Sequence, residues 1–242
     1  MSRERSQERA AAADGYNPEP ANRGDMTDIP LNHVHVAPDE DPEGAPAVFV
    51  LHGRGADEQD LLPVARHLPD GLHVISLRAP EPLQGGYTWY DLDLSAGGLE
   101  ESQPDAADFR RSLDLIAESV ETATEAYDLD PDRIGLLGFS QGAIACLSLL
   151  LEEPNRYAWV VALHGYLADA HADLDPDGIE GKPVFVGVGA GDRVIPESRS
   201  AAAADRFEEI DADVTRGSYP GGHGIGQGEL ADVVAFVESQ VA

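Results

Sequence analysis

Residues 135–151 read GLLGFSQGAIACLSLLL, and at the centre stands Gly138-Phe139-Ser140-Gln141-Gly142. The apolar run before this centre, 133–138, has the length of a buried strand, and the one after it, 141–151, has the length of a buried helix. A serine at such a strand–turn–helix junction takes a strained backbone that lifts its hydroxyl above the sheet. Strand and helix can then approach closely only where side chains are missing, which Gly138 and Gly142 provide. The start of the helix also turns free N–H groups and the positive end of its dipole toward any anion that forms there. A tight turn closed by an ordinary helix-capping serine is the competing explanation.

Outward from this point, strand-like and helix-like segments alternate. His33–Val36 alternates in polarity, while Ala47–Leu51 and 72–77 are continuous apolar runs. Between the last two, 57–68 (DEQDLLPVARHL) suits a short helix, its acids favouring an N-terminus. A loop rich in Gly and Pro covers 81–103, and Phe109, Leu113, Ile116, Val120 and Ala123 mark a helix over 105–127. Strands are expected at 158–163, 184–188 and 212–218, with helices at 196–210 and 229–241. Apolar strands alternating with helices predict an α/β fold with a mostly parallel central sheet covered on both faces. No internal repeat is visible, and no insertion is long enough for a substantial cap domain.

A serine hydroxyl is a weak nucleophile at neutral pH, so it needs a base and a group that orients the base. In a fold of this kind they follow the serine as acid and then histidine, each at the C-terminal edge of a later strand. His223, in Tyr219-Pro220-Gly221-Gly222-His223-Gly224, occupies a loop able to swing an imidazole across to Ser140; His164 and His171 are the only other histidines after Ser140. Asp192 ends the segment VFVGVGAGD (184–192) and emerges at the same edge, whereas Asp169, Asp173, Asp175 and Asp177 lie in a loop that looks simply acidic. The developing oxyanion needs donors as well. One is the backbone N–H of Gln141, and Leu51-His52-Gly53-Arg54-Gly55-Ala56-Asp57 is placed to give the other through the Arg54 N–H. A glycine-rich turn without a chemical role is the alternative for that second loop, and His52 reads as a hydrogen-bonded loop anchor.

Composition bounds the remaining classes. The chain has 242 residues, a length at which α/β proteins are commonly one domain. Its formal net charge is −29, from 45 acids against 16 bases, and Lys182 is its one lysine. An anionic shell of this density repels nucleic acid and anionic membranes, and it opposes the compact state unless salt screens it. The pattern resembles proteins of organisms that keep molar salt in the cytoplasm. Residues 1–25 differ, with four Arg against five acids and no apolar period, and are expected to be a disordered tail before a single domain over 26–242. Met26 is the expected natural start. No apolar run approaches the roughly 18 residues of a membrane span, and no secretory signal is recognisable, so a cytoplasmic protein without stable membrane insertion is expected. The single cysteine, Cys146, falls in the apolar helix and reads as a core thiol; no metal-binding spacing is present, and no metal or cofactor is expected.

The segments LHGRGAD (51–57), TWYDLD (88–93), GFSQGA (138–143), GAGDRVIP (189–196) and YPGGHG (219–224) together resemble the carboxylesterase, lysophospholipase and acyl-protein thioesterase branch of the α/β-hydrolases over about 45–240. The resemblance implies a catalytic Ser140, Asp192 and His223 and oxyanion donors at Arg54 and Gln141. It also implies an acyl pocket bordered by Trp89, Tyr90 and Asp91, with Trp89 as a pocket wall. Two positions depart from the family: Arg54 stands where relatives commonly carry an apolar residue, and His164 where they usually have a small one such as Ser. The Arg54 side chain is open to either an anionic substrate or a surface acid. His164, at the end of a strand on the same edge, reads as a structural or supporting histidine that could alter the pocket's shape or titration, and on that ground it is grouped with Trp89 and Tyr90 on the substrate side. The expected function is a serine carboxylesterase acting on small-molecule esters of short to medium acyl chain. The alternatives are an acyl thioesterase or lysophospholipase, or a ligand-binding homologue without catalysis. Dimers are frequent in the family, which leaves a homodimer open.

Overall fold

The computed structural model describes residues 28–242. The expectations of a disordered 1–25 segment and of a natural start at Met26 lie outside the described residues. The strands are β1 (His33–Val36), β2 (Ala47–Leu51), β3 (His73–Leu77), β4 (Glu81–Leu83), β5 (Gly86–Thr88), β6 (Leu92–Asp93), β7 (Gln103–Pro104), β8 (Ile134–Phe139), β9 (Trp159–Leu163), β10 (Pro183–Gly189) and β11 (Asp213–Tyr219). The helices are α1 (Leu62–Ala65), α2 (Ala106–Ala126), α3 (Gln141–Glu152), α4 (Glu197–Glu209) and α5 (Gln227–Val241).

Seven strands form one sheet in the order β1-β3-β2-β8-β9-β10-β11, parallel throughout except for β1, which runs antiparallel to β3. Because successive side chains of a strand point to opposite faces, each buried strand feeds two cores. Ala47, Phe49 and Leu51 of β2 join the core under α2, α3 and α4, whereas Val48 and Val50 join the one under α1 and α5. Trp159, Val161 and Leu163 of β9 pack with Val233, Phe236 and Val237 of α5, while Val160 and Ala162 face the other side. The sequence therefore shows unbroken apolar runs rather than alternation at these strands.

Helix α2 begins at Asp105, whose carboxylate accepts hydrogen bonds from the N–H groups of Ala107 and Asp108 at 3.1 Å each. It buries Phe109, Leu113, Ile116, Val120 and Ala123, the predicted face. The helix expected over 57–68 contracts to the four residues of α1. Asp57 closes a turn by accepting from the Gln59 N–H at 2.9 Å, and Glu58 is engaged by the Arg78 guanidinium. The acids that seemed to open a helix are thus occupied by a turn and an ion pair. The 81–103 segment is more ordered than a plain loop: β4 pairs with β5, β6 pairs with β7, and a 3-10 turn covers Leu99–Glu101.

Strands β2 and β8 are neighbours, and the chain leaves them in opposite directions across the sheet, β3 lying on one side and β9 on the other. Such a reversal opens a crevice beyond the strands' C-terminal ends, where open α/β sheets place their ligand sites. The loop after β2 and the turn after β8 flank it.

Candidate active site

Ser140 joins β8 to α3 with φ +54° and ψ −116°, a strained conformation for a residue with a side chain. Its hydroxyl does not cap the helix. The flanking glycines are sterically required. A Cβ on Gly138 would collide with the backbone of Gly142 and Ala143, and one on Gly142 would collide with the Leu51 carbonyl. The turn is fixed from outside by the Ser140 N–H, which donates to the Leu163 carbonyl at 2.9 Å.

The Ser140 hydroxyl lies 2.9 Å from His223 Nε2, and His223 Nδ1 lies 2.7 Å from Asp192 Oδ2. A carboxylate can only accept, so His223 donates through Nδ1–H, and in the neutral imidazole this leaves Nε2 free to accept from the serine hydroxyl. Asp192 follows β10. Its Oδ1 accepts from the N–H groups of Val194 (2.8 Å) and Ile195 (3.0 Å), while Oδ2 accepts a second imidazole N–H, from His164 Nδ1 at 3.0 Å. Burial pushes the Asp192 carboxyl up, but the bonds from His164, His223, Ile195 and Val194 together outweigh it and hold the group at about 2. Asp192, His164 and His223 also bring ligand-type atoms within 4.8 Å of one another, but here two N–H donors share one acceptor oxygen.

Gln141, the first residue of α3, has an N–H with no acceptor inside the helix. Its side chain has a task that the sequence did not suggest. Oε1 accepts from the Thr88 hydroxyl (2.9 Å) and the Trp89 N–H (3.2 Å), and Nε2 donates to the Tyr90 carbonyl (2.9 Å). The turn bearing Ser140 therefore clamps the aromatic loop. Trp89 extends the clamp by donating its indole N–H to the His52 carbonyl at 2.8 Å. His52 itself is buried, its Nδ1–H donating to the Gly53 carbonyl (2.7 Å) and its Nε2 accepting from the Ala79 N–H (3.1 Å). Gly53 allows close passage beside the serine, since a Cβ there would stand 2.9 Å from the Phe139 ring.

A cavity of about 340 Å³ opens in front of Ser140. Arg54, Gln141 and His223 border it beside the serine, and Tyr90, Leu92, Ile144 and Ile195 contribute to its apolar wall. Leu99 and Val194 stand at the rim, 53% and 40% exposed. The Tyr166 hydroxyl donates to the Ser102 carbonyl at 2.8 Å, and the Arg199 guanidinium lies over the Tyr166 ring while donating to the same carbonyl at 3.0 Å. Tyr166 and Arg199 thus pin the rim loop, another role invisible from their spacing. The cavity lining includes Tyr90 but neither Trp89 nor His164, both of which are buried behind it. Arg54 is exposed at the cavity and forms no ion pair among the described residues.

This sheet, with a strained serine turn at its reversal point and helices on both faces, defines the α/β-hydrolase class. Residues 31–241 match the phospholipase/carboxylesterase family of α/β-hydrolases, and the chain belongs to that family. It is an esterase- or thioesterase-type hydrolase. It is 31% identical over 141 residues to NocK of Nocardia uniformis subsp. tsuyamanensis, covering 57% of this chain and 38% of NocK. It is 27% identical over 226 residues to acyl-protein thioesterase 1 of Kluyveromyces lactis, covering 86% of this chain and 97% of that protein. Among solved structures, the Bacillus cereus carboxylesterase superposes with a TM-score of 0.78 at 24% identity, covering 88% of this chain and 96% of the other.

Proposed function

We propose that the protein is a serine carboxylesterase acting on esters of short to medium acyl chain through a covalent acyl-enzyme. The observation that carries this reading is the continuous hydrogen-bonded series Ser140–His223–Asp192, whose first two members line the cavity. His223 removes the hydroxyl proton as Ser140 Oγ attacks the acyl carbonyl, and the N–H groups of Gln141 and Arg54 receive the charge that builds on the carbonyl oxygen. The imidazolium then protonates the departing alcohol, and water repeats the sequence on the acyl-enzyme. Asp192 keeps His223 in the tautomer that exposes Nε2 and stabilises its charged form.

The cavity volume of about 340 Å³ supports the chain-length assignment. It lies near the lower end of the roughly 300–1,000 Å³ found for small-molecule sites. Acyl-protein thioesterases among the relatives favour a second reading, hydrolysis of thioesters, by the same serine chemistry with a thiol leaving group. A series of p-nitrophenyl esters and matched thioesters, assayed in high salt, separates the two. A maximum in kcat/KM at short to medium esters supports the first reading, and a preference for thioesters at equal acyl length replaces it with the second. A fluorophosphonate that fails to label Ser140 in folded protein would leave only a ligand-binding role.

A further inference from the structure

Behind the site lies a second buried imidazole. His164 follows β9 with φ +52°, and its side chain is 1% exposed. Nδ1 meets Asp192 Oδ2 at 3.0 Å and Nε2 meets Glu229 Oε2 of α5 at 3.2 Å, both carboxylates being fully buried. Strand β10 leaves room for the pair: a Cβ on Gly187 would collide with Glu229 Oε1, and one on Gly189 would stand 3.1 Å from His164 Cε1. Phe139 and His223 pack against the His164 ring with centroids at 5.4 and 5.5 Å. The titratable groups facing His164 are Asp192 after β10, His223 after β11 and Glu229 on α5. Tyr219 of β11 adds its influence at Glu229 and donates its hydroxyl to Asp232 at 2.8 Å.

Carboxylate oxygens meet both nitrogens of this one imidazole, and where both carboxylates accept, both nitrogens must carry hydrogen. Resting on the reading of Ser140, His223 and Asp192 as the catalytic groups, we propose that His164 is a positioning residue: an imidazolium held in place by Glu229, which shares Asp192 with His223 and sets the acid limb of the activity profile. Burial drives His164 toward its neutral form, but the hydrogen bonds and charges of Glu229 and Asp192 prevail and raise it. The cation touches Asp192 directly, whereas the Glu229 charge acts from beyond the ring, so the cation dominates what the carboxylate feels. With the cation present, Asp192 has less negative charge to offer a proton arriving on His223. Without it, the Asp192–His223 pair binds that proton more strongly.

Two measurements test this. In the full-length Ser140→Ala protein, kept in high salt, ¹⁵N side-chain NMR reads the His164 ring directly and does not depend on any catalytic activity. Protons on both nitrogens at pH 7 support the proposal, and a single protonated nitrogen there overturns it. In otherwise intact enzyme, Glu229→Gln removes the charge that holds the cation while leaving an amide to bond Nε2. The acid limb of kcat/KM should then move to higher pH by about one unit, a roughly tenfold loss well below the limb, with the plateau changed less than about threefold. A limb that does not move overturns the proposal. A wild-type protein without esterase or thioesterase turnover would defeat the reading of the site, and a Glu229→Gln protein that does not fold would remove the second measurement; the NMR result decides the charge of His164 in either case.

Discussion

His223 Nε2 lies 2.9 Å from the Ser140 hydroxyl although the two residues are 83 positions apart, one in the loop after β11 and the other in the turn after β8. The parallel sheet makes this meeting possible, because every β-to-helix connection emerges at the same edge. Asp192 reaches His223 from that edge as well. Replacing Asp192 with Asn should lower kcat by about 10⁴, since an amide can turn its N–H₂ toward His223 and favour the wrong tautomer. The folded protein should persist, and steady-state kinetics beside far-UV circular dichroism will show whether activity falls without loss of structure.

Asp192 also predicts an acid dependence of stability. Its carboxyl is held at about 2 in the folded chain, below the ordinary value of about 3.9. A depressed folded-state value gives stabilisation that is complete above the unfolded value and is lost as pH falls through the folded one. Denaturant midpoints should therefore drop between about pH 4 and about pH 2, and the drop should be smaller in Asp192→Asn. Equal slopes in the two proteins would mean that other carboxylates control acid unfolding.

The Gln141 side chain should contribute to structure as well as to substrate binding. Gln141→Ala keeps the backbone N–H but leaves the Trp89 N–H without its acceptor, while the Thr88 hydroxyl and the Tyr90 carbonyl keep each other at 2.8 Å. A loss of about 1–3 kcal/mol in unfolding free energy is expected for this one buried donor left unsatisfied, softened where the loop can relax. Because Tyr90 lines the cavity, KM should rise more than kcat falls.

Gly142 offers a purely steric test. Its missing Cβ is what lets α3 start against the Leu51 carbonyl, so Gly142→Ala must push the helix away from β2. Overpacking of this kind costs about 1–3 kcal/mol, and the displacement would also move Ser140 and the Gln141 N–H. Activity should fall by more than the unfolded fraction accounts for, which fluorophosphonate labelling against thermal melts can measure.

The charge of −29 leads to a salt prediction that concerns the surface and not the site. At about 1 M salt the screening length shrinks to about 3 Å, which removes most repulsion between exposed carboxylates. Tm should rise by more than about 5 °C between about 0.1 M and about 2 M KCl, with a smaller effect in a chain whose surface acids are replaced by neutral residues. An unchanged Tm would identify an ordinary acidic protein.

Much of the fold was legible because strands buried on two faces must be apolar throughout, as in Ala47–Leu51 and Trp159–Leu163. The serine turn was legible for a related reason: its glycines answer a local steric demand. The helix before β3 is shorter than periodicity suggests because Asp57 and Glu58 act through a turn and a partner at Arg78. Trp89 is buried outside the cavity lining rather than on the pocket wall, because aromaticity does not tell which side of a loop a ring takes. Glu229 left no signal beyond its place at the start of a helix, since its partner His164 is 65 positions away and meets it only through the sheet.

In the proposed mechanism Ser140 carries the acyl group. Acid quenching during turnover of a p-nitrophenyl ester, followed by peptide mass spectrometry, measures it directly. An acyl mass added to Ser140, absent from Ser140→Ala together with turnover, is the expected result; undiminished hydrolysis by Ser140→Ala would contradict it.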